Sequence, residues 1–338
     1  MKLRAAIIGA GLMGRWHATN VSRVGGEVAF ICDVDQHAAR SLARNFKTAQ
    51  PTARIEEALE RNQVDVAHIC TPLSNHFGSA AAALKRGIHV LVEKPMTSNC
   101  QQTEQLYQLA SEHRVLLCPV HQFSFQRGVQ KALASLNRIG QLRHFEAIFC
   151  SAGGGAKTGE DLDEIVADIL PHPLSLMQIF APGSLRETNW GVHHPEAGEL
   201  RAILNAREIS SSIFISMSAR PTKAAFRVVG TTGTIHLDLF HGFSVVEAGV
   251  VSRWRKILRP FDLSVRTFAG AGMNIVQRTF TREPAYPGLR TLIRNFYAAI
   301  SCASNPPIQS SDAIEIAATR DLLREKMKAT NRGFDREK

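Results

Sequence analysis

No apolar stretch in the 338 residues approaches the roughly 20 needed to span a bilayer, so no membrane partner is expected. The chain opens straight into a strand-like run, which leaves no secretory leader to expect. Cysteine is sparse. The six residues Cys32, Cys70, Cys100, Cys118, Cys150 and Cys302 lie far apart and form no C-x-x-C pair. Several sit in apolar strand-like segments, which suits buried free thiols in a reducing, cytoplasmic setting and argues against a disulfide frame. No metal-ligand cluster stands out, so no metal is expected. Internal repeats, low-complexity tracts and an obvious linker are also missing. The net charge is +10, yet the basic residues are scattered, the tightest group being Arg253, Arg255, Lys256 and Arg259. No recognisable nucleic-acid module accompanies them, so nucleic acid is not an expected partner. A solvated arginine-rich surface is the plain reading, and an anionic small-molecule substrate is the alternative.

The informative residues stand at the N-terminus. Ala5-Ala6-Ile7-Ile8 is a short apolar run, and Gly9-Ala10-Gly11-Leu12-Met13-Gly14 follows at once. A second strand-like run, Glu27–Ile31, ends in Cys32-Asp33, nineteen positions beyond Gly14. This is G-x-G-x-x-G directly after a strand, with an acidic residue at the end of the next one. Gly9 permits the tight turn, Gly11 lets the backbone approach a pyrophosphate, and Gly14 lets helix and strand pack closely. A helix starting near Leu12 offers N–H groups and its positive dipole end to the phosphates. The pattern predicts a dinucleotide site.

At this length two domains are expected. Strands read at Leu3–Ile8, Glu27–Cys32, Val64–Ile69, Ile88–Val92 and Val115–Leu117. Between them, helices read at Leu12–Val21, Gln36–Phe46, Ile55–Arg61, Ser74–Lys85 and Asn99–His113. The strands are apolar throughout, as expected when helices cover both faces of a parallel sheet. Residues 1–120 are therefore expected to form an N-terminal Rossmann domain, an α/β doubly wound parallel sheet. The rhythm then changes. A helical Gly128–Leu136, a strand Gln141–Cys150, a flexible loop Ser151–Gly155 and a helix near Pro173–Phe180 come first. Consecutive strands follow at Glu199–Asn205, Ser210–Ser218, Ala225–Val229, Thr234–Leu239 and Phe243–Glu247, with a hairpin turn at Gly230–Gly233. Residues 121–338 are expected to form a C-terminal α/β domain with a mostly antiparallel sheet. Residues 250–284 show poor periodicity, and helices Leu289–Ser301 and Asp312–Met327 close the chain.

Three places carry side chains suited to chemistry. Thr71 and Pro72, with Asn75 and His76 just behind, follow the strand-like run Val64–Ile69, where ligands of open α/β sheets bind; an ordinary turn explains them equally well. Glu93-Lys94-Pro95 ends the next strand at the same edge. There Lys94 can stabilise a developing alkoxide or pass a proton, against the usual role of lysine as a solvated surface group. Asp168 and His172 are four apart, and in a helix or turn they share a side. A carboxylate beside an imidazole orients it and raises its basicity; in isolation such a pair is more often structural. His17 is expected to pack the first helix and His193-His194 to be solvated. His121, Phe123, Phe125 and Arg127 suit either substrate contact or core packing.

Taken together these motifs resemble the glucose–fructose oxidoreductase / inositol dehydrogenase family, often called Gfo/Idh/MocA. The resemblance rests on Gly9–Gly14, Asp33, Thr71-Pro72 with His76, Glu93-Lys94-Pro95, and Asp168-x-x-x-His172. It extends to Phe296-Tyr297-Ala298-Ala299-Ile300, Pro306-Pro307 and the Ala313–Leu323 helix. It implies a second domain with a large open sheet, whose face commonly makes dimers or tetramers, and a cis Lys94–Pro95 bond. It also implies reversible hydride transfer between nicotinamide and a hydroxyl-bearing carbon of a sugar, cyclitol or nucleotide sugar. The expected cofactor residues are Gly9, Gly11, Leu12, Met13, Gly14, Asp33, Thr71, Pro72, Asn75, His76, Glu93 and Lys94. Lys94, Asp168 and His172 are the expected catalytic set. Asp33 points to NAD over NADP, since a carboxylate there accepts from ribose hydroxyls and repels a 2′-phosphate, with Arg40 and Arg44 able to soften the preference. Leu170, Ser175 and Ser124 depart from frequent family residues, all on the substrate side. Two other readings share the scaffold: a non-catalytic protein sensing dinucleotide or sugar, and an imine- or dihydrodiol-type reductase.

Overall fold

The computed structural model describes residues 2–60, 63–151, 155, 157–186, 189–206, 208–249, 253–283 and 285–334. Of the expected Ser151–Gly155 loop, residues 152–154 lie outside this set, as does Arg61 at the expected helix end. The described residues divide into two compact units, 1–121 with 289–318, and 122–288 with 319–338.

The first unit opens β1 (Arg4–Ile8), α1 (Leu12–Arg23), β2 (Glu27–Cys32), α2 (Gln36–Ala43), β3 (Gln50–Thr52), α3 (Ile55–Ala58) and β4 (Val66–Ile69). It continues α4 (His76–Leu84), β5 (His89–Val92), α5 (Cys100–Glu112) and β6 (Leu117–Pro119). Its strands pair in parallel in the order β3-β2-β1-β4-β5-β6. β1 supplies Ala5, Ala6 and Ile7, all fully buried, as a strand covered on both faces requires. Two helices begin on side-chain caps that the sequence carries in place: Asp35 accepts from His37 N and Ala38 N, and Asn99 accepts from Gln102 N.

The second unit holds α6 (Arg127–Leu133), β7 (Leu142–Cys150), α7 (Glu160–Ile169), α8 (Pro171–Phe180), β8 (Trp190–His193) and β9 (Glu199–Leu204). Then come β10 (Ser210–Ser216), β11 (Lys223–Gly230), β12 (Gly233–Asp238), β13 (Phe243–Ala248) and α9 (Arg253–Thr281). The sheet order is β13-β12-β11-β7-β10-β9-β8, antiparallel except between β7 and β10. Phe145, Phe180 and Phe226 pack together beneath it, with ring centroids 5.7–6.4 Å apart.

Three features depart from the sequence reading. Residues expected to lack periodicity form the 29-residue helix α9, whose Pro260, Gly270 and Gly272 depress helix propensity. Its large apolar residues are also mostly exposed, so no buried stripe marks it. Short β3 and β8 carry too few residues to show a period. The expected second range, 121–338, is interrupted, because α10 (Leu289–Ser301) packs on α1 in the first unit. Leu289, Leu292, Ile293 and Phe296 are its buried stripe, and Arg290 Nε donates to Asn20 Oδ1 at 3.4 Å. Helix α11 (Ser310–Phe334) gives residues through Ala318 to the first unit and the rest to the second.

Candidate active site

The chain turns sharply where β1 meets α1. Gly9 has φ of +103°, and a Cβ there would sit 2.5 Å from the Cys70 carbonyl oxygen. A Cβ on Gly14 would lie 1.9 Å from the Gly9 carbonyl oxygen, so only glycine lets α1 approach this close. A cleft of about 1000 Å³ opens over this turn. Gly9, Gly11, Leu12, Met13, Asp33, Thr71, Pro72 and Asn75 line it. Cys32 also lines it, but burial and then the Asp33 charge push its thiol up to about 11, so it is no ready nucleophile.

The cleft suits a dinucleotide on several independent counts. A Cβ on Gly11 would meet nothing within 4 Å, leaving the space a pyrophosphate needs. No side chain caps α1, whose first residues face the cleft. Asp33 is held at the end of β2, its Oδ2 accepting from Ala10 N at 2.7 Å and its Oδ1 from Asp35 N at 2.9 Å. Thr71 Oγ1 is buried with no hydrogen-bond partner among the described residues. Arg54, which the sequence reading passed over, also lines the cleft and pairs with Glu57 at 3.6 Å. Arg40 instead donates to Gln36 on its own helix.

Other expected cofactor residues stand behind the cleft. His76 is buried, with its ring nitrogens 2.8 Å from the Thr71 and Pro95 carbonyl oxygens, and so braces two strand ends. The Lys94–Pro95 peptide is cis. Glu93 anchors a buried chain that sequence reasoning missed. His17 Nε2 meets Glu93 Oε1 at 3.0 Å, and His17 Nδ1 meets His68 Nδ1 at 2.8 Å. His68 Nε2 in turn meets the Tyr297 hydroxyl at 2.8 Å. Burial, then the neighbouring His17, holds His68 well below the ordinary imidazole range. Burial chiefly raises the Tyr297 phenol. One proton ordering satisfies every contact: Tyr297 donates to His68, His68 to His17, and His17 to Glu93. Glu93 Oε2 also accepts from Lys94 N at 3.1 Å, which fixes the carboxylate against the start of the Lys94 peptide. His121 is buried nearby, and its Nδ1 has no hydrogen-bond partner among the described residues. Burial, offset by Glu93 and reinforced by Lys94, lowers its pKa to about 4.

In the second unit, Leu170 joins α7 to α8 with helical φ and ψ, so Asp168 and His172 stay one helical turn apart. The His172 ring stacks on Phe123 at 4.3 Å between centroids, and Phe149 lies nearly parallel at 6.2 Å. Arg320 is buried, donates from Nε to the Ala167 carbonyl oxygen at 3.2 Å, and lies in the field of Asp168. Burial lowers its pKa and the Asp168 charge opposes that fall. The expectation of a solvated His193-His194 holds only for His193. His194 is buried, with Nε2 2.8 Å from Asp163 Oδ1, because the carboxylate also draws Gly198 N and closes the turn over it.

A glycine turn and strand-end carboxylate on this strand order define a dinucleotide-binding Rossmann unit. Residues 3–121 match the GFO_IDH_MocA family model, described as an oxidoreductase family with an NAD-binding Rossmann fold. Over that segment the chain is similar to the Gfo/Idh/MocA family. UDP-N-acetylglucosamine 3-dehydrogenase of Acidithiobacillus ferrooxidans is 29% identical over 119 residues, 35% of this chain and 37% of that protein. The aligned segment thus spans just over a third of that relative's length. The solved structure of that enzyme superposes over 98% of this chain and 99% of its own, at 18% identity and a TM-score of 0.77. The WlbA dehydrogenase of Bordetella pertussis, solved with NADH and UDP-GlcNAcA, covers 97% of this chain and 96% of its own at a TM-score of 0.76 and 15% identity. KijD10, a 3-ketoreductase from Actinomadura kijaniata solved with NADP, covers 96% and 97% at 0.71 and 19%. At these identities the structural likenesses establish the fold.

Proposed function

We propose that the protein is a dehydrogenase or reductase that moves a hydride between NAD and a secondary alcohol, or the matching ketone, of a sugar, cyclitol or nucleotide sugar. The cleft over the Gly9–Gly14 turn carries this reading most strongly, with Asp33 at one edge and Thr71 at another. When bound, the nicotinamide supplies the hydride acceptor or donor. The turn and the start of α1 hold the pyrophosphate, and Asp33 accepts from the ribose hydroxyls. Lys94 steadies the substrate oxygen with its positive charge. His172 takes the hydroxyl proton at an imidazole nitrogen in one direction and returns it in the other. Asp168 orients that ring and Phe123 fixes its plane, with Arg320 buried in the field of Asp168. A purely sensing protein has no use for a lysine, imidazole and carboxylate in these motif positions.

Cofactor choice follows from Asp33. Two like charges about 4 Å apart repel by about 1 kcal/mol in water and about 4 kcal/mol near a protein surface. NADH is therefore expected to bind at least about fivefold more tightly than NADPH by titration calorimetry. Asp33→Ser should narrow that gap chiefly by improving NADPH binding. Tighter NADPH binding by the unaltered protein would overturn the preference.

A further inference from the structure

The interior of the parallel sheet holds polar side chains that the fold itself does not require. Strand β4 is apolar and fully buried at Val66, Ala67 and Ile69, yet His68 stands among them, also fully buried. His17 is fully buried on α1, and Tyr297 on α10 and Glu93 just after β5 are each only 7% exposed. Apolar residues of similar volume would pack there without losing hydration, so stability alone does not account for the four. They come from four places distant in sequence, and every link between them is 3.0 Å or shorter. The rings also cross edge-on. His17 and His68 have centroids 5.1 Å apart at 83°, and His68 and Tyr297 5.8 Å apart at 66°. No ring can turn without breaking a link.

We propose, on the reading of Lys94 as the anchor of the substrate oxygen, that His17, His68 and Tyr297 are positioning residues for Lys94, acting through Glu93. Both oxygens of the Glu93 carboxyl are committed. Oε1 meets His17 Nε2 at 3.0 Å, and Oε2 accepts from Lys94 N at 3.1 Å. The carboxyl therefore cannot rotate freely, and the Lys94 main chain is tied through it to α1, β4 and α10. On the other side of Lys94, the Pro95 carbonyl oxygen lies 2.8 Å from His76 Nδ1. The backbone that carries Lys94 is thus held before and after it. A charge that stabilises a developing oxyanion is effective when it is already in place. A misplacement of about 1 Å costs up to about a hundredfold in rate.

The chain holds and does not conduct. A proton relay to Glu93 would need Tyr297 to release its proton, and burial pushes that phenol well above its ordinary range.

Heteronuclear NMR of selectively isotope-labelled lysines reads the Lys94 amide directly and needs no substrate; the resonance is assigned by its loss in Lys94→Arg. It should shift in His17→Leu and in Tyr297→Phe. It should stay near its native position in His17→Gln, whose amide keeps a donor toward Glu93. Turnover of NAD with a panel of hexoses, cyclitols and nucleotide sugars should follow the same order. His17→Leu should lower kcat by up to about a hundredfold with substrate KM little changed. Tyr297→Phe should lower it about threefold to tenfold, and His17→Gln should recover most of the loss. In a Lys94→Ala background none of these changes should lower kcat further. Should His17→Leu fail to fold, Tyr297→Phe carries both readouts. An unmoved Lys94 amide, native turnover per folded molecule in the variants, or a loss that persists in full without Lys94 would overturn the assignment. A native protein that oxidises nothing in the panel, with the Lys94 amide still moving, would instead sink the dehydrogenase reading and leave the hold on Lys94 standing.

Discussion

Replacing His172 by alanine is expected to lower kcat by about a hundred- to ten-thousand-fold while NADH binds as before. The imidazole is the proposed carrier of the one proton released when a hydroxyl-bearing carbon gives up a hydride. It is not among the residues that line the dinucleotide cleft, so its loss is expected to leave cofactor affinity unchanged. The competing explanation is that His172 merely packs, stacked on Phe123 at 4.3 Å. His172→Phe separates the two. It keeps an aromatic ring in the stack and removes the proton carrier, so stability should hold while turnover collapses. Near-normal turnover per folded molecule in either variant would remove His172 from the mechanism. Lys94→Ala should also cut kcat, and a double-mutant cycle with His172→Ala tests whether the two serve one reaction.

His17→Leu is expected to destabilise the first unit by about 3 kcal/mol, roughly 10 °C in melting temperature. His17 is fully buried, and its removal strips Glu93 of its imidazole donor and His68 of its acceptor. Tyr297→Phe should cost less, about 1 kcal/mol, because only the terminal hydroxyl of the chain is lost. The buried imidazoles also set an acid limit. His68 and His121 have folded pKa values below the ordinary 6.5, His121 at about 4. Below pH 6.5 the unfolded chain binds protons that these folded sites refuse. Their contribution is therefore whole above that pH and shrinks as pH falls through the window from about 6.5 to about 4. A His17→Leu protein melting within a degree or two of the native one would contradict this view of the network.

The parallel sheet and its glycine turn are legible in sequence because their determinants are local: apolar runs of four or five residues, a glycine triplet and a strand-end carboxylate. The Asp168-to-His172 spacing is legible for the same reason, since a helical turn preserves it. What escaped is nonlocal. His68 lies 51 residues from His17 and 229 from Tyr297, so no motif announces their chain. Arg320 reads as one more arginine on a closing helix, yet folding buries it beside Asp168. His194 reads as polar loop until Asp163, 31 residues away, closes over it. Helix α9 escaped for a different reason. Its large apolar residues are mostly exposed, and sequence reading looks for an apolar face matched to a core.

Hydride transfer is what separates an enzyme from a ligand-sensing protein on the same fold. The direct measurement supplies NAD with a panel of hexoses, cyclitols and nucleotide sugars deuterated at their hydroxyl-bearing carbons, and reads the mass of the recovered nicotinamide cofactor. Deuterium on the cofactor, delivered by the native protein and reduced in rate by His172→Ala, is the predicted result. Tight NAD binding with no deuterium transferred from any of these classes would contradict it.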